Sequence, residues 1–261
     1  MSKIITYYLK DYQNKKRRIQ VYLPINYDEK KPYHVLYLHD GQNVFDPQFS
    51  YSGLSWNVDK TLNQLYNENK IALIVVAIDN DGANRFNEYS PFTSVNLNDY
   101  ISWLKPAYHG GLGVNYGDWL VNDLIPFVNK NYCTNKNIIA GSSMGGYISL
   151  YIAYKYPDLF HAVGAFSTAI WFNKKELFNF VETNFNSNTI VYLDIGTNET
   201  SDINNKEFNQ IYLNDTLELD QIFIKLKTPK KQLVVDQGGI HSESAWEKRF
   251  PDFITWLFQM L

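Results

Sequence analysis

Six short apolar runs, at residues 34–38, 72–78, 137–140, 162–166, 189–195 and 232–235, are separated by segments too long for hairpins, and this spacing constrains the fold most. Each run has the length of a strand and little polar alternation, as expected of a strand buried on both faces. Four of the intervening segments, 55–68, 117–130, 145–156 and 205–225, carry apolar residues at helical spacing. Strands alternating with helices predict an α/β fold: a mostly parallel central sheet with helices on both faces. Ahead of it, 4–9 and 17–23 alternate apolar and polar residues around 11–16, the pattern of an antiparallel N-terminal strand pair. Near the C-terminus Trp246, Phe250, Phe253, Ile254, Leu257 and Leu261 share one helical stripe, which Pro251 is expected to break or kink. No segment resembles a linker, a repeat or a low-complexity tract, so residues 1–261 read as a single domain.

In such sheets ligands bind beyond the carboxyl ends of the strands, so residues just after each run are the functional candidates. The run 137–140 leads into Gly141-Ser-Ser-Met-Gly145, a Gly-x-Ser-x-Gly frame centred on Ser143 and followed by a helical pattern. The two glycines allow the sharp strand-to-helix turn that exposes a serine, and Ser143 is the candidate nucleophile. A serine hydroxyl needs a base within reach and a third group to orient that base. Of His34, His39, His109, His161 and His241, only the last two follow Ser143, as the order nucleophile, acid, histidine requires. His161 precedes a strand and falls at the far end of the sheet. His241 follows the run 232–235 through Asp236-Gln-Gly-Gly-Ile and is the candidate base. Glu199, in the loop after 189–195, is the favoured acid. Asp194, inside that strand pattern, and Asp202 are the alternatives. For the oxyanion, the backbone N–H of Met144 is one donor, and the loop 39–43 supplies the second through Gln42. His39 and Asp40 are read as braces of that loop. No metal-ligand spacing or cofactor motif occurs, and none is expected.

The stretch 79–116 has little periodicity and many aromatic residues, Phe86, Tyr89, Phe92, Tyr100, Trp103, Tyr108 and Tyr116 among them. It is read as a wall of the substrate pocket. The net charge of −3 argues against a nucleic-acid partner, and the basic run from Lys15 to Arg18 is read as a solvated edge. A single cysteine, Cys133, rules out an internal disulfide. With no export signal and no membrane-spanning stretch, a cytoplasmic location without membrane association is the expectation.

Tyr37-Leu-His-Asp-Gly-Gln-Asn-Val-Phe-Asp46, Trp56-Asn-Val-Asp59, Ile78-Asp-Asn80 with Arg85 and Glu88-Tyr-Ser-Pro91, Gly141-Ser-Ser-Met-Gly-Gly146, Gly196-Thr-Asn-Glu199 and His241-Ser-Glu-Ser-Ala-Trp246 together resemble the esterase family close to esterase D. That family includes S-formylglutathione, feruloyl, acetylxylan and siderophore esterases and the mycolyltransferases. The resemblance runs from about Arg18 to Leu261 and implies an α/β-hydrolase fold. It also implies Ser143 as nucleophile, Glu199 and His241 as partners, and Met144 with Gln42 at the oxyanion hole. Some siderophore esterases of this pattern rely on a serine and histidine alone. The expected activity is therefore cofactor-free hydrolysis of a small or imported ester, of siderophore, feruloyl or acetyl-sugar type, through an acyl-enzyme. An acyltransferase is the nearest rival, and a binding protein on the same scaffold the more distant one.

Overall fold

The computed structural model describes residues 1–94, 97–104 and 109–261. Ten strands are described: β1 Lys3–Lys10, β2 Lys16–Leu23, β3 Tyr33–His39, β4 Ile74–Ile78, β5 Thr93–Ser94, β6 His109–Gly110, β7 Thr134–Ser142, β8 Phe160–Phe166, β9 Ile190–Asn198 and β10 Lys231–Ile240. The helices are α1 Val58–Asn69, α2 Arg85–Glu88, α3 Gly113–Trp119, α4 Ile125–Asn131, α5 Met144–Lys155, α6 Lys174–Thr183, α7 Phe208–Lys225 and α8 Glu243–Met260. Eight strands form one sheet in the order β1-β2-β4-β3-β7-β8-β9-β10, while β5 and β6 pair as a small separate ribbon. Strand β2 is antiparallel to both β1 and β4, and all pairings from β4 through β10 are parallel. This is the expected mixed sheet. The crossover from β4 to β7 passes over β3, so the connections leaving the carboxyl ends of β3 and β7 run apart and open a crevice.

Residue alternation assigns the two faces. In β3, Val35 and Tyr37 join one core cluster while Leu36 and Leu38 join the other; in β7, Ile139 faces the first and Ile138 and Ala140 the second. Helices α4, α5, α6 and α7 cover the first face, and α1 and α8 cover the second. Helix α5 is buried from Met144 to Tyr154, and its one serine, Ser149, is satisfied by donating to Gly145 O at 2.7 Å.

Three sequence expectations need correction. Helix α8 continues through Pro251, so the proline does not break it. The proline removes one backbone donor, but Phe250, Phe253, Ile254 and Leu257, all fully buried, hold both halves of the helix against the sheet. Second, Arg17 is not part of a solvated edge. It is 4% exposed and donates to Asp11 Oδ2 at 2.7 Å and Glu88 Oε2 at 2.8 Å, because β2 pairs with β4 and turns that side chain under the 79–88 segment. Third, the helix expected at 117–130 is interrupted by a π-helical turn, Leu120–Leu124, between α3 and α4. Pro126, in the first turn of α4, cannot donate to the turn before it.

Candidate active site

Ser143 joins β7 to α5 with φ 57° and ψ −122°, a conformation that costs a non-glycine residue about 1–3 kcal/mol. Backbone bonds hold it there. Its N–H donates to Phe166 O at 2.9 Å, and its carbonyl accepts from Tyr147 N and Ala169 N, both at 3.1 Å. The turn is tight enough that a Cβ on Gly141 would lie 2.7 Å from the Gly145 carbonyl carbon, which is why that position carries glycine. Met144 opens α5, and the first N–H groups of a helix have no intrahelical acceptor, so they are free to face an anion.

Strands β9 and β10 bring the other candidates to the same edge. Glu199 directly follows β9, His241 directly follows β10, and His241 Nδ1 contacts Glu199 Oε2 at 2.6 Å. Glu199 is fully buried. Burial alone would raise its carboxyl, but His241, the Ser167 hydroxyl and the Gly196 N–H more than offset this and hold it below the usual carboxylate range. Its second oxygen, Oε1, accepts from Ser167 Oγ at 2.6 Å and Gly196 N at 2.8 Å. The Ser167 hydroxyl is itself a junction, accepting from Trp246 Nε1 and Arg249 Nη2, each at 2.8 Å. His241 packs its ring 4.9 Å from that of Tyr212 and 5.1 Å from that of Trp246.

The alternative acids are engaged elsewhere. Asp194, also fully buried, faces Arg249 Nη2 at 3.2 Å and the Ser167 N–H at 3.2 Å. Burial, together with nearby Glu199 and Asp236, pushes its carboxyl up to about 7 despite Arg249. Asp202 accepts from Ser102 N and Oγ at 2.5 Å, tying the loop after Glu199 to the segment 97–104. His161 sits at the start of β8, at the opposite end of the sheet.

Across the crevice, β3 ends in the turn Gly41–Asn43 that carries Gln42. Asp40 braces this turn in a left-handed conformation, φ 55°, gripped by Arg85 at 2.7 and 2.6 Å and by Asn80 Nδ2 at 2.6 Å. Gln42 Oε1 accepts from Asn80 N at 3.2 Å. His39 is buried beneath, bonded to Tyr116 Oη at 2.8 Å, and burial pushes its imidazole down to about 3, so it remains neutral. Glu243, in the first turn of α8, accepts from Asn43 Nδ2 at 3.1 Å and Ser52 Oγ at 2.8 Å. It thereby links this turn to the helix that follows His241.

These groups surround one cavity of about 780 Å³, lined by Ser143, His241 and Gln42. Phe86, Ile101, Trp103, Leu104 and Trp171 make its apolar wall, while Asn43, Asn80 and Asn87 contribute amides. The stretch 79–116 therefore does line the pocket, but not with every aromatic residue assigned to it. Tyr89 and Tyr116 are fully buried around His39, and Phe92 packs on Tyr151 and Phe180. Tyr108 lies outside the described residues.

Residues 11–257 match the family described as Putative esterase. The chain belongs to this family. As a Putative esterase it is a carboxylic-ester hydrolase of the α/β-hydrolase type. It is similar to the uncharacterized protein YbbA of Bacillus subtilis strain 168, at 22% identity over 258 residues and 96% of each chain. Among solved structures it resembles an IroE-like serine hydrolase from Shewanella oneidensis, with a TM-score of 0.78, 19% identity, and coverage of 98% of this chain and 80% of the other. It also resembles a ferulic acid esterase, with a TM-score of 0.74, 19% identity and full coverage of both chains. At these identities the likeness is one of fold.

Sequence reasoning missed four residues that pack around Glu199 and His241. Ser167 follows the run 162–166, where the rule of strand carboxyl ends could have found it. Arg249 and Trp246 lie one helical turn apart and reach Ser167 from the far end of the chain, and Tyr212 reads only as part of the apolar stripe of α7.

Proposed function

We propose that this esterase works through a covalent acyl-enzyme on Ser143. The observation that carries the reading is the 2.6 Å contact between Glu199 Oε2 and His241 Nδ1 at the edge of the cavity that Ser143 lines. With Nδ1–H donated to Glu199, the neutral imidazole offers Nε2 as the base. His241 Nε2 takes the Ser143 proton as Oγ attacks the ester carbonyl, then returns it to the departing alcohol. Water, deprotonated by the same nitrogen, attacks the acyl carbon and frees Ser143. The backbone N–H groups of Met144 and Gln42 receive the oxyanion.

The substrate is a small ester, and an aromatic acyl group suits the apolar wall around Phe86 and Trp171 while Asn43, Asn80 and Asn87 suit a hydroxyl-bearing alcohol. Feruloyl, acetyl-sugar and siderophore esters meet that description. We read residues 1–261 as one esterase domain acting in the cytoplasm, the latter on the support of the lone Cys133.

Ser143→Ala is expected to lower kcat on an aryl ester by roughly 10⁶ while the thermal unfolding transition stays in place. Ser142→Ala is the control. A Ser143→Ala protein that retains activity, beside an inactive Ser142→Ala, overturns the assignment. Ranking aryl, feruloyl, acetyl-sugar and trilactone esters by kcat/KM then fixes the substrate class.

A further inference from the structure

Arg249, on α8, is buried at the junction behind Glu199 without a role in the mechanism above. It is set among three carboxylates. Nη1 contacts Asp236 Oδ2 at 3.2 Å, Nη2 contacts Asp194 Oδ1 at 3.2 Å, and Glu199 Oε1 lies 3.7 Å from Nη2. The last separation is too long for a hydrogen bond. Arg249 reaches Glu199 instead through Ser167, whose hydroxyl oxygen is 2.8 Å from Nη2 and 2.6 Å from Glu199 Oε1.

The number of protons along this row fixes its direction. A guanidinium and an indole N–H can only donate. Ser167 Oγ therefore accepts from both Arg249 Nη2 and Trp246 Nε1, each at 2.8 Å, and directs its single proton at Glu199 Oε1. Oε1 also accepts from Gly196 N at 2.8 Å, so two donors fill it and close it to a proton of its own. Oε2 faces His241 Nδ1 at 2.6 Å, and an unprotonated carboxylate there draws the imidazole proton to Nδ1 and leaves Nε2 as the base. We propose that Arg249 and Ser167 are positioning residues of the esterase reaction: Arg249, acting through the Ser167 hydroxyl, holds Glu199 as an unprotonated acceptor and so keeps the proton of neutral His241 on Nδ1. This rests on the reading of Glu199 and His241 as acid and base.

The charges around the row make the arginine necessary. Asp194 on β9 and Glu199 just after it are both fully buried, and Asp236 on β10 joins them at the guanidinium. Against these stand Arg249, the exposed Lys248 at 3.9 Å from Asp236 Oδ1, and His241 when it is protonated. Asp252, on α8, and the phenols of Tyr192 and Tyr212 are the other titratable groups close by, and burial raises both phenols, which keeps them neutral. Burial pushes Asp194 up to about 7 even with Arg249 beside it. An opposite charge at such distances lowers a carboxyl by about 1–3 pH units, and its removal reverses the effect. Without Arg249, Glu199 would therefore take up a proton at higher pH. Losing the positive charge also favours imidazolium over imidazole at His241, so both changes move the acid limb of the rate in the same direction. Hydrogen bonds in a row polarise one another, which carries the influence of Arg249 through Ser167 to the carboxylate.

The test is kcat/KM on p-nitrophenyl acetate between about pH 5 and about pH 9, with the midpoint of the acid limb as the readout. In Arg249→Gln the midpoint is expected to rise by about 1 pH unit or more, with most of the rate recovered above it. Arg249→Lys, which keeps the charge, should return the midpoint toward wild type. Ser167→Ala, which cuts the row, should raise it. A role in packing alone would lower the rate evenly at every pH. An unmoved midpoint in folded Arg249→Gln overturns the inference, as does an Arg249→Lys midpoint shifted as far as that of Arg249→Gln. If Arg249→Gln does not fold, an unmoved midpoint in Ser167→Ala overturns it instead. Glu199→Gln with wild-type kcat and midpoint overturns the reading of Glu199 and this inference together, whereas the preceding outcomes leave that reading standing.

Discussion

Glu199 and His241 are joined through one carboxylate oxygen, Oε2 on Nδ1 at 2.6 Å, while the other oxygen is fixed to Ser167 and Gly196. This division makes Glu199→Gln an informative change. The amide oxygen can keep the bonds from Ser167 and Gly196, which turns the amide nitrogen, a donor, toward Nδ1. The imidazole must then accept at Nδ1 and carry its proton on Nε2, the atom that should accept from Ser143. We expect kcat to fall by about 10² to 10⁴ with little change in melting temperature. Full activity in a folded Glu199→Gln protein would mean that Ser143 and His241 work as a pair without the acid.

Ser167→Ala should behave differently, lowering stability and kcat together. The hydroxyl it removes accepts from both Trp246 and Arg249 and donates to Glu199. Leaving a buried donor without an acceptor costs about 1–3 kcal/mol. Thermal unfolding and kcat measured on one preparation check this. An unchanged melting temperature would show that the junction is not what holds Arg249 and Trp246.

Gly196→Ala tests how closely β9 and β10 approach beneath the site. A Cβ there would lie 2.3 Å from Gly239 O and 2.8 Å from Glu199 Oε1. Either the strands separate or the carboxylate leaves Nδ1. Loss of activity with a lowered melting temperature is expected, and a variant matching wild type in both would contradict the packing described.

Asp194 gives stability a pH dependence of unusual sign. Its folded pKa of about 7 lies above the roughly 3.9 of an unfolded aspartate, so between those values the native state holds a proton that the unfolded chain releases. The contribution of this group to stability therefore falls as pH rises through that window. Glu199, held low, acts in the opposite sense, losing its contribution as pH falls through its depressed pKa. Asp194→Asn removes only the first effect. The melting temperature of wild type relative to Asp194→Asn should decline between about pH 4 and about pH 7. A constant difference across that range would show that Asp194 does not titrate there.

The mixed sheet and the elbow at Ser143 were legible because they depend on local signals: apolar runs, helical periodicity and two glycines framing a serine. The position of His241 at the carboxyl edge of the sheet was legible from its place after a strand. The choice between Glu199 and Asp194 was favoured but not decided by order, since Asp194 lies within β9 and Glu199 just after it; Arg249 reaches both from downstream, and what distinguishes Glu199 in space is its contact with His241. The burial of Arg17 was hidden for the same reason, its partner Glu88 being supplied by a segment seventy-one residues away. Local pattern says where a side chain starts, and long-range pairing decides what it meets.

The bridge from Glu243 to Asn43 and Ser52 spans nearly the whole chain, and His241 lies two residues before it. The turn that carries Gln42 emerges early in synthesis, yet its clamp and the proposed base both arrive with α8, which also supplies Trp246 and Arg249 to the Glu199 junction. Helix α8 also supplies Trp246, Phe250, Phe253, Ile254 and Leu257 to the buried second face of the sheet, so the clamp on that turn and the packing of that face depend on one element. The proposed chemistry and the packing of that face are thus tied to the same helix, and a chain cut before α8 is expected to lose both.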